Sequence, residues 1–203
     1  VPTTTSMTDN AGNSYFQAGS ARAVDAGAGQ MVDIWYAKNS RSGATSVTIT
    51  PSSPVTGAAT VWEFSGADLA APLDQTLTLN SQPATTTPSG GAVTASSGGV
   101  VVSVVVPGGS MSGLQMGNGF ISDSLNFGVG WAHLMVPAAG TYGAQWSTSN
   151  GTYAASTVSF KAATGTSTGA LNACDLNSDG AINSTDVSLS VNMALGQSAC
   201  TAN

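Results

Sequence analysis

Charge is scarce in this chain. Only 7% of its 203 residues are charged, and the basic ones number four: Arg22, Lys38, Arg41 and Lys161. Four scattered cations form no patch for a phosphate backbone, which argues against nucleic acid as a partner. The same shortage argues against electrostatic attachment to anionic lipid. Histidine is reduced to His133, inside Trp131-Ala-His-Leu-Met-Val136, where it reads as a strand residue rather than a general base. No Gly-x-Ser-x-Gly elbow occurs. Glu63 is the one carboxylate worth weighing as a glycosidase-like partner of Asp33 or Asp68. A lone Glu on a strand face, free or tied to Lys38 or Arg41, is the plainer reading. The chain thus lacks the nucleophile, acid–base pair and catalytic metal set that an enzyme requires, and reads as non-enzymatic. The longest apolar run, Val100 to Val106, has the length of a strand, far short of a membrane-spanning helix.

What is present is 41% apolar residues, 25 glycines, 8 prolines, and about a quarter Ser and Thr. Up to Ala163, turn residues punctuate short runs of Val, Thr and aromatics, and no helical period is sustained. The pattern predicts about a dozen strands, among them Thr3–Thr8, Ser14–Gln17, Met31–Ala37, Ser46–Thr50, Thr60–Phe64, Thr76–Asn80, Val100–Val106 and Thr152–Phe160. Asp9-Asn-Ala-Gly-Asn13 predicts the tip of an N-terminal hairpin. Val47 and Ile49 alternate with Thr, as do Leu77 and Leu79, which predicts one face in a core and one in water. Val100-Val-Val-Ser-Val-Val-Val106 is apolar on both faces and predicts a central strand. The fold class is all-β, a two-sheet β-sandwich of jelly-roll-like character over residues 1–162. Residues 163–173, rich in Thr and Gly, form a linker to a C-terminal module at 174–203.

That module carries the strongest motif. In Asp175-Leu-Asn-Ser-Asp-Gly-Ala-Ile-Asn-Ser-Thr-Asp186, the side chains of Asp175, Asn177 and Asp179 present oxygens at alternate positions. Gly180 permits a sharp turn, the Ala181 carbonyl is the next ligand, Asn183 reaches the ion directly or through water, and Asp186 closes the site. Hard oxygen donors with three carboxylates predict one Ca²⁺ as cofactor. Residues before Ala163 carry seven acids and four bases, and the tail adds three aspartates, so calcium relieves repulsion concentrated in this loop. Ser184 is placed to cap a following helix that runs to Leu195, and Gly196 to end it.

The loop and single helix, Cys174 to Gly196, resemble one type I dockerin repeat, whose loop also closes with Asp. Dockerins carry two such repeats and dock onto a cohesin; one is present here. Cys174 and Cys200 flank the unit, and a bridge between them staples loop to helix, worth about 3–4 kcal/mol in the chain-entropy model. Such a disulfide implies an oxidising compartment; two free buried thiols are the alternative. Val187, Val191, Ala194 and Leu195 form one apolar stripe on the helix, and Leu189 and Met193 fall nearly opposite. Either the rest of the chain wraps both stripes, or Leu189 and Met193 await a neighbouring copy.

The N-terminal region resembles a β-sandwich module of secreted bacterial proteins through Thr8-Asp-Asn-Ala-Gly-Asn-Ser-Tyr15, Ile34-Trp-Tyr-Ala-Lys-Asn39, Val47-Thr-Ile-Thr50 and Val61-Trp-Glu-Phe-Ser-Gly66. These are turn and core residues, informative about fold more than function. The opening Val1-Pro2 fits removal of a signal peptide, although a trimmed chain begins the same way. Together these features predict a secreted or cell-surface structural subunit that forms a homo-oligomer or polymer, Val1–Thr8 being the segment best suited to adding to a neighbour's sheet. The alternative is a carbohydrate-binding or adhesion module, with Trp35, Trp62, Trp131 and Trp146 as stacking platforms for a glycan.

Overall fold

A computed structural model describes residues 1–108, 113–124 and 128–163. Contacts divide the chain into two units, Val1–Ala163 and Thr164–Asn203. The first is all-β, with thirteen strands and no α-helix among the described residues.

The frame is a five-stranded antiparallel sheet in the order β5 (Leu73–Thr85), β13 (Gly151–Phe160), β7 (Val100–Gly108), β10 (Gly130–Met135), β9 (Ile121–Ser124). The valine run is its centre, as the two-faced pattern predicts: every residue of β7 is buried. It is laddered to β13 from Thr152↔Gly108 to Phe160↔Val100. Both faces of this sheet are covered. On one, Val101, Val105, Ala132 and Ala155 pack against Val93, Ala95, Ala144 and Trp146. Val93 and Ala95 belong to β6 (Val93–Ala95) and Trp146 to β12 (Gln145–Ser147), with Ala144 just before it; β6 pairs with β11 (Gly140–Tyr142), and β12 with β8 (Gln115–Gly117). On the other face, Val100, Val102, Val104, Trp131 and Val158 pack against Ala18, Ala21 and Ile34. Burial on both sides explains why Val is chosen at successive positions, since each β-branched side chain finds a packed surface whichever way it points. Fully burying each is worth about 1.5–3 kcal/mol.

Ser103 interrupts the valines and is fully buried. Its hydroxyl lies 2.6 Å from that of Thr157, its partner across the β7–β13 ladder, and Thr157 Oγ1 donates to the Gly90 carbonyl at 2.8 Å. Gly90 is required there because a Cβ would overlap both hydroxyls.

The second covering layer is the ribbon of β2 (Tyr15–Asp25) and β3 (Gln30–Ala37). The expected strand at Ser14–Gln17 is the start of an eleven-residue one. Its continuation carries Ala18, Ala21 and Ala23, small residues with weak strand propensity that sit flush on the sheet and are fully buried. Asp25 turns the chain into β3, its Oδ1 accepting from the amides of Gly27 and Ala28.

Three expectations are corrected. Asp9–Asn13 is a corner and not a hairpin tip: β1 (Thr4–Asp9) pairs with β4 (Val47–Pro51), while β2 pairs with β3. The Asp9 carboxylate closes the corner, and Asn10 and Asn13 bond the 41–46 loop, so the turn is spent joining two ribbons. Ile49 is 40% exposed, because β4 is laddered only to β1 among the described residues and contributes no buried residue. Leu77 and Leu79, by contrast, do pack on the core.

Thr60–Phe64 forms no strand. Its side chains alternate as a strand's do, with Trp62 and Phe64 half-buried and Val61 and Glu63 exposed. Among the described residues no backbone ladder or other backbone hydrogen bond reaches it, so the period is present without its partner.

Candidate functional site

The sequence-predicted calcium ligands Asp175, Asn177, Asp179, Ala181, Asn183 and Asp186 lie outside the described residues. So do Cys174, Cys200, Leu189 and Met193. Among the described residues, no group of three or more His, Cys, Asp or Glu side chains comes together as metal ligands would. Nor is any described helix long and apolar enough to cross a membrane.

The four tryptophans separate into two pairs. Trp131 and Trp146 are 6% and 1% exposed and belong to the cores on opposite faces of the sheet, which removes them as stacking platforms. Trp35 and Trp62 are half-buried and line an open cleft of about 1660 Å³. Its walls are β3, the 39–46 loop, the β1–β4 ribbon and the irregular segment from Val55 to Leu69. Its floor is the face of the central sheet that carries Val102, Val104 and Trp131. The indole nitrogens of Trp35 and Trp62 and the amide oxygen of Gln30, all on cleft residues, have no hydrogen-bond partner among the described residues. Tyr36 stacks at a tilt between Phe16 and Phe160, fixing the wall near Trp35.

Carboxylates around the cleft are mostly committed. Asp33, the suggested partner of Glu63, is paired with Arg22 at 3.0 Å and also accepts from Thr4 Oγ1. Arg22 in turn donates to the Thr4 carbonyl, which moors β1 to the β2–β3 ribbon. Asp68 caps its own turn through the amides of Ala71 and Ala70, which hold its carboxyl below the usual range. Lys38 donates to the Ala70 carbonyl rather than to Glu63, which stands exposed. At the corner, the Asn13 backbone and side chain, with the Tyr15 hydroxyl and the Ala11 amide, lower the Asp9 pKa to about 2. Partial burial, and then the Asp9 carboxylate, push the Tyr15 phenol up.

His133 is a strand residue, as expected, yet its Nδ1 lies 2.8 Å from Asp123 on the neighbouring strand and its ring lies against Phe64. Sequence reading missed this pair because the strand it expects at Phe120–Ile121 stops short of Asp123, which the observed β9 includes. It also missed the cleft, whose only sequence signal is the run of Pro, Gly and Ala from Pro51 to Ala59, too poor in β-formers to close a sheet.

No protein-family model matches this chain, and comparison with curated proteins and with solved structures finds no match. The resemblance of Cys174–Gly196 to a dockerin repeat therefore rests on its residues alone.

Proposed function

We propose that this chain is a secreted, non-enzymatic structural subunit that self-assembles into an extracellular filament or surface layer. In this reading Ca²⁺ at Asp175–Asp186 and a Cys174–Cys200 disulfide stabilise its C-terminal module, and the sandwich winds in a jelly-roll-like manner. One observation carries it. Eight large hydrophobic side chains stand exposed among the described residues, and five of them, Val1, Ile49, Val55, Val61 and Leu69, border the one cleft. Apolar side chains gathered in this way mark an association surface, whereas scattered ones do not. The neighbouring edge of β3 is also undefended. Its only charged residue, Asp33, is turned into an ion pair, and it carries none of the lysines or prolines that keep monomeric β-proteins apart.

Light scattering and negative-stain microscopy of the purified chain test this with calcium, with chelator, and with Leu189→Ser/Met193→Ser. Calcium-dependent polymers, weakened by the double substitution, are expected. Monomers at high concentration under every condition would refute the reading.

A second reading, an extracellular glycan-binding module, is favoured by Trp35 and Trp62 on the walls of the same cleft. Titration with neutral polysaccharides tests it, with Trp62→Ala expected to abolish binding.

A further inference from the structure

We infer that the cleft is an acceptor slot for an extended strand, filled by the Val1–Asp9 segment of a second copy of this chain. The inference rests on the self-assembly reading and names its contact.

Backbone pairing is missing along the cleft. β3 is laddered only to β2, so its other edge has no partner strand among the described residues. Thr60–Phe64 also lines the cleft and has strand-like alternation with no ladder of its own. An entering strand supplies what both lack, main-chain donors and acceptors on two edges.

The lengths agree. β3 has eight residues, about 26 Å at the rise of a strand, and Val1–Asp9 has nine, about 30 Å. A strand of that length, enclosed on most sides, buries roughly 1,000–2,000 Å² over both partners, the range that specific interfaces need.

The donor is held by few contacts of its own chain. β1 contributes no buried residue; among the described residues it is laddered to β4 alone, in a two-stranded ribbon of a kind that is marginal in water by itself, and moored to the β2–β3 ribbon through Thr4, whose bonds to Arg22 and Asp33 are given up when it leaves. Its removal leaves both clusters on the central sheet intact, since neither includes a β1 residue, and it clears Val1–Thr4 and Met7 from the wall of the slot, so the entering segment takes space that the chain's own segment gives up. The segment carries no charged side chain before Asp9, and Val1 and Met7 fall on one face of it when extended, as apolar contacts for the floor. Each copy then donates at one place and accepts at another. Such a head-to-tail contact propagates into a fibre unless its rotation closes a ring.

The test uses the full chain, a chain lacking Val1–Thr8, full-length Thr5→Pro, and a synthetic peptide of residues 1–9. Near-UV circular dichroism first establishes that the shortened chain keeps its core. Amide hydrogen exchange is then read at Gln30–Ala37 and Thr60–Phe64. Full-length protein at high concentration is expected to slow exchange there at least tenfold relative to dilute protein. The shortened chain and Thr5→Pro are expected to show no such slowing and to form no polymer. The peptide is expected to bind the shortened chain and restore protection in both segments. Polymers formed as readily by the shortened chain would overturn the slot and leave self-assembly standing. A full-length chain that stays monomeric would overturn both. Protection conferred by a neutral oligosaccharide and not by the peptide would overturn the slot in favour of the glycan.

Discussion

The buried hydroxyls of Ser103 and Thr157 make a prediction whose sign depends on the background. Thr157 has one hydroxyl hydrogen, and it points to the Gly90 carbonyl. Ser103 must therefore be the donor in the 2.6 Å contact between the two side chains. Thr157→Val keeps the shape and leaves two buried groups, the Gly90 carbonyl and the Ser103 hydroxyl, without that partner. At about 1–3 kcal/mol for each stranded group, the loss is about 2–6 kcal/mol. Ser103→Ala removes only the outer donor and leaves the Thr157–Gly90 bond in place, so it costs about 0.5–1.5 kcal/mol. In the Thr157→Val background the order reverses. Ser103→Ala there removes a hydroxyl that has already lost its acceptor, and it restores about 1 kcal/mol or more. All four tryptophans lie in the first unit, so urea unfolding followed by indole fluorescence reports on that unit alone. Equal costs of Ser103→Ala in the two backgrounds, within the ~0.5 kcal/mol of simple additivity, would show that the hydroxyls are not coupled as described.

Three further outcomes are expected. Because the Asp9 pKa is lowered to about 2 from 3.8, its contribution to the corner is complete above pH 4 and lost as pH falls through 2. The Asn13 amide resonance should keep its position at pH 3 and move near pH 2, while Asp9→Asn should abolish that transition. Arg22→Ala leaves Asp33, whose side chain is 7% exposed, without its cation and releases the Thr4 carbonyl, costing about 1–3 kcal/mol and loosening β1 before the core. Hydrogen exchange at Thr4–Asp9 checks it. At the C-terminal loop, calorimetry should find one Ca²⁺ per chain, and Asp175→Ala/Asp179→Ala should abolish the binding heat.

The central strand was legible because Val100–Val106 has no polar face, a pattern that only burial on both sides of a sheet accommodates. β2 was legible only at its first residues. Beyond Gln17 the chain turns to Ala and Gly, whose value there is that they let a ribbon lie close on the sheet, a tertiary reason with no local signature. Thr60–Phe64 and Ile49 erred the other way. Both have a period of two, but periodicity reports which side chains could share a face, and a strand also needs a neighbour to pair with. The cleft was invisible for the same reason, being the space left where three segments fail to pair. The separation of Trp35 and Trp62 from Trp131 and Trp146 likewise depends on which face of which layer each ring meets.

The strand order has a consequence for when this protein can fold. β13, which ends at Phe160, is inserted between β5 and β7, strands that begin about sixty to ninety residues earlier and have no ladder to each other. Until Gly151–Phe160 exists, β5 cannot join the sheet and one side of the valine strand stays bare. At about 5–20 residues per second, synthesis takes roughly 3–10 s to pass from the end of β7 at Gly108 to Phe160. Throughout that interval the valine strand has no partner on that side, and β13, the last strand of the unit, acts as the trigger for its collapse.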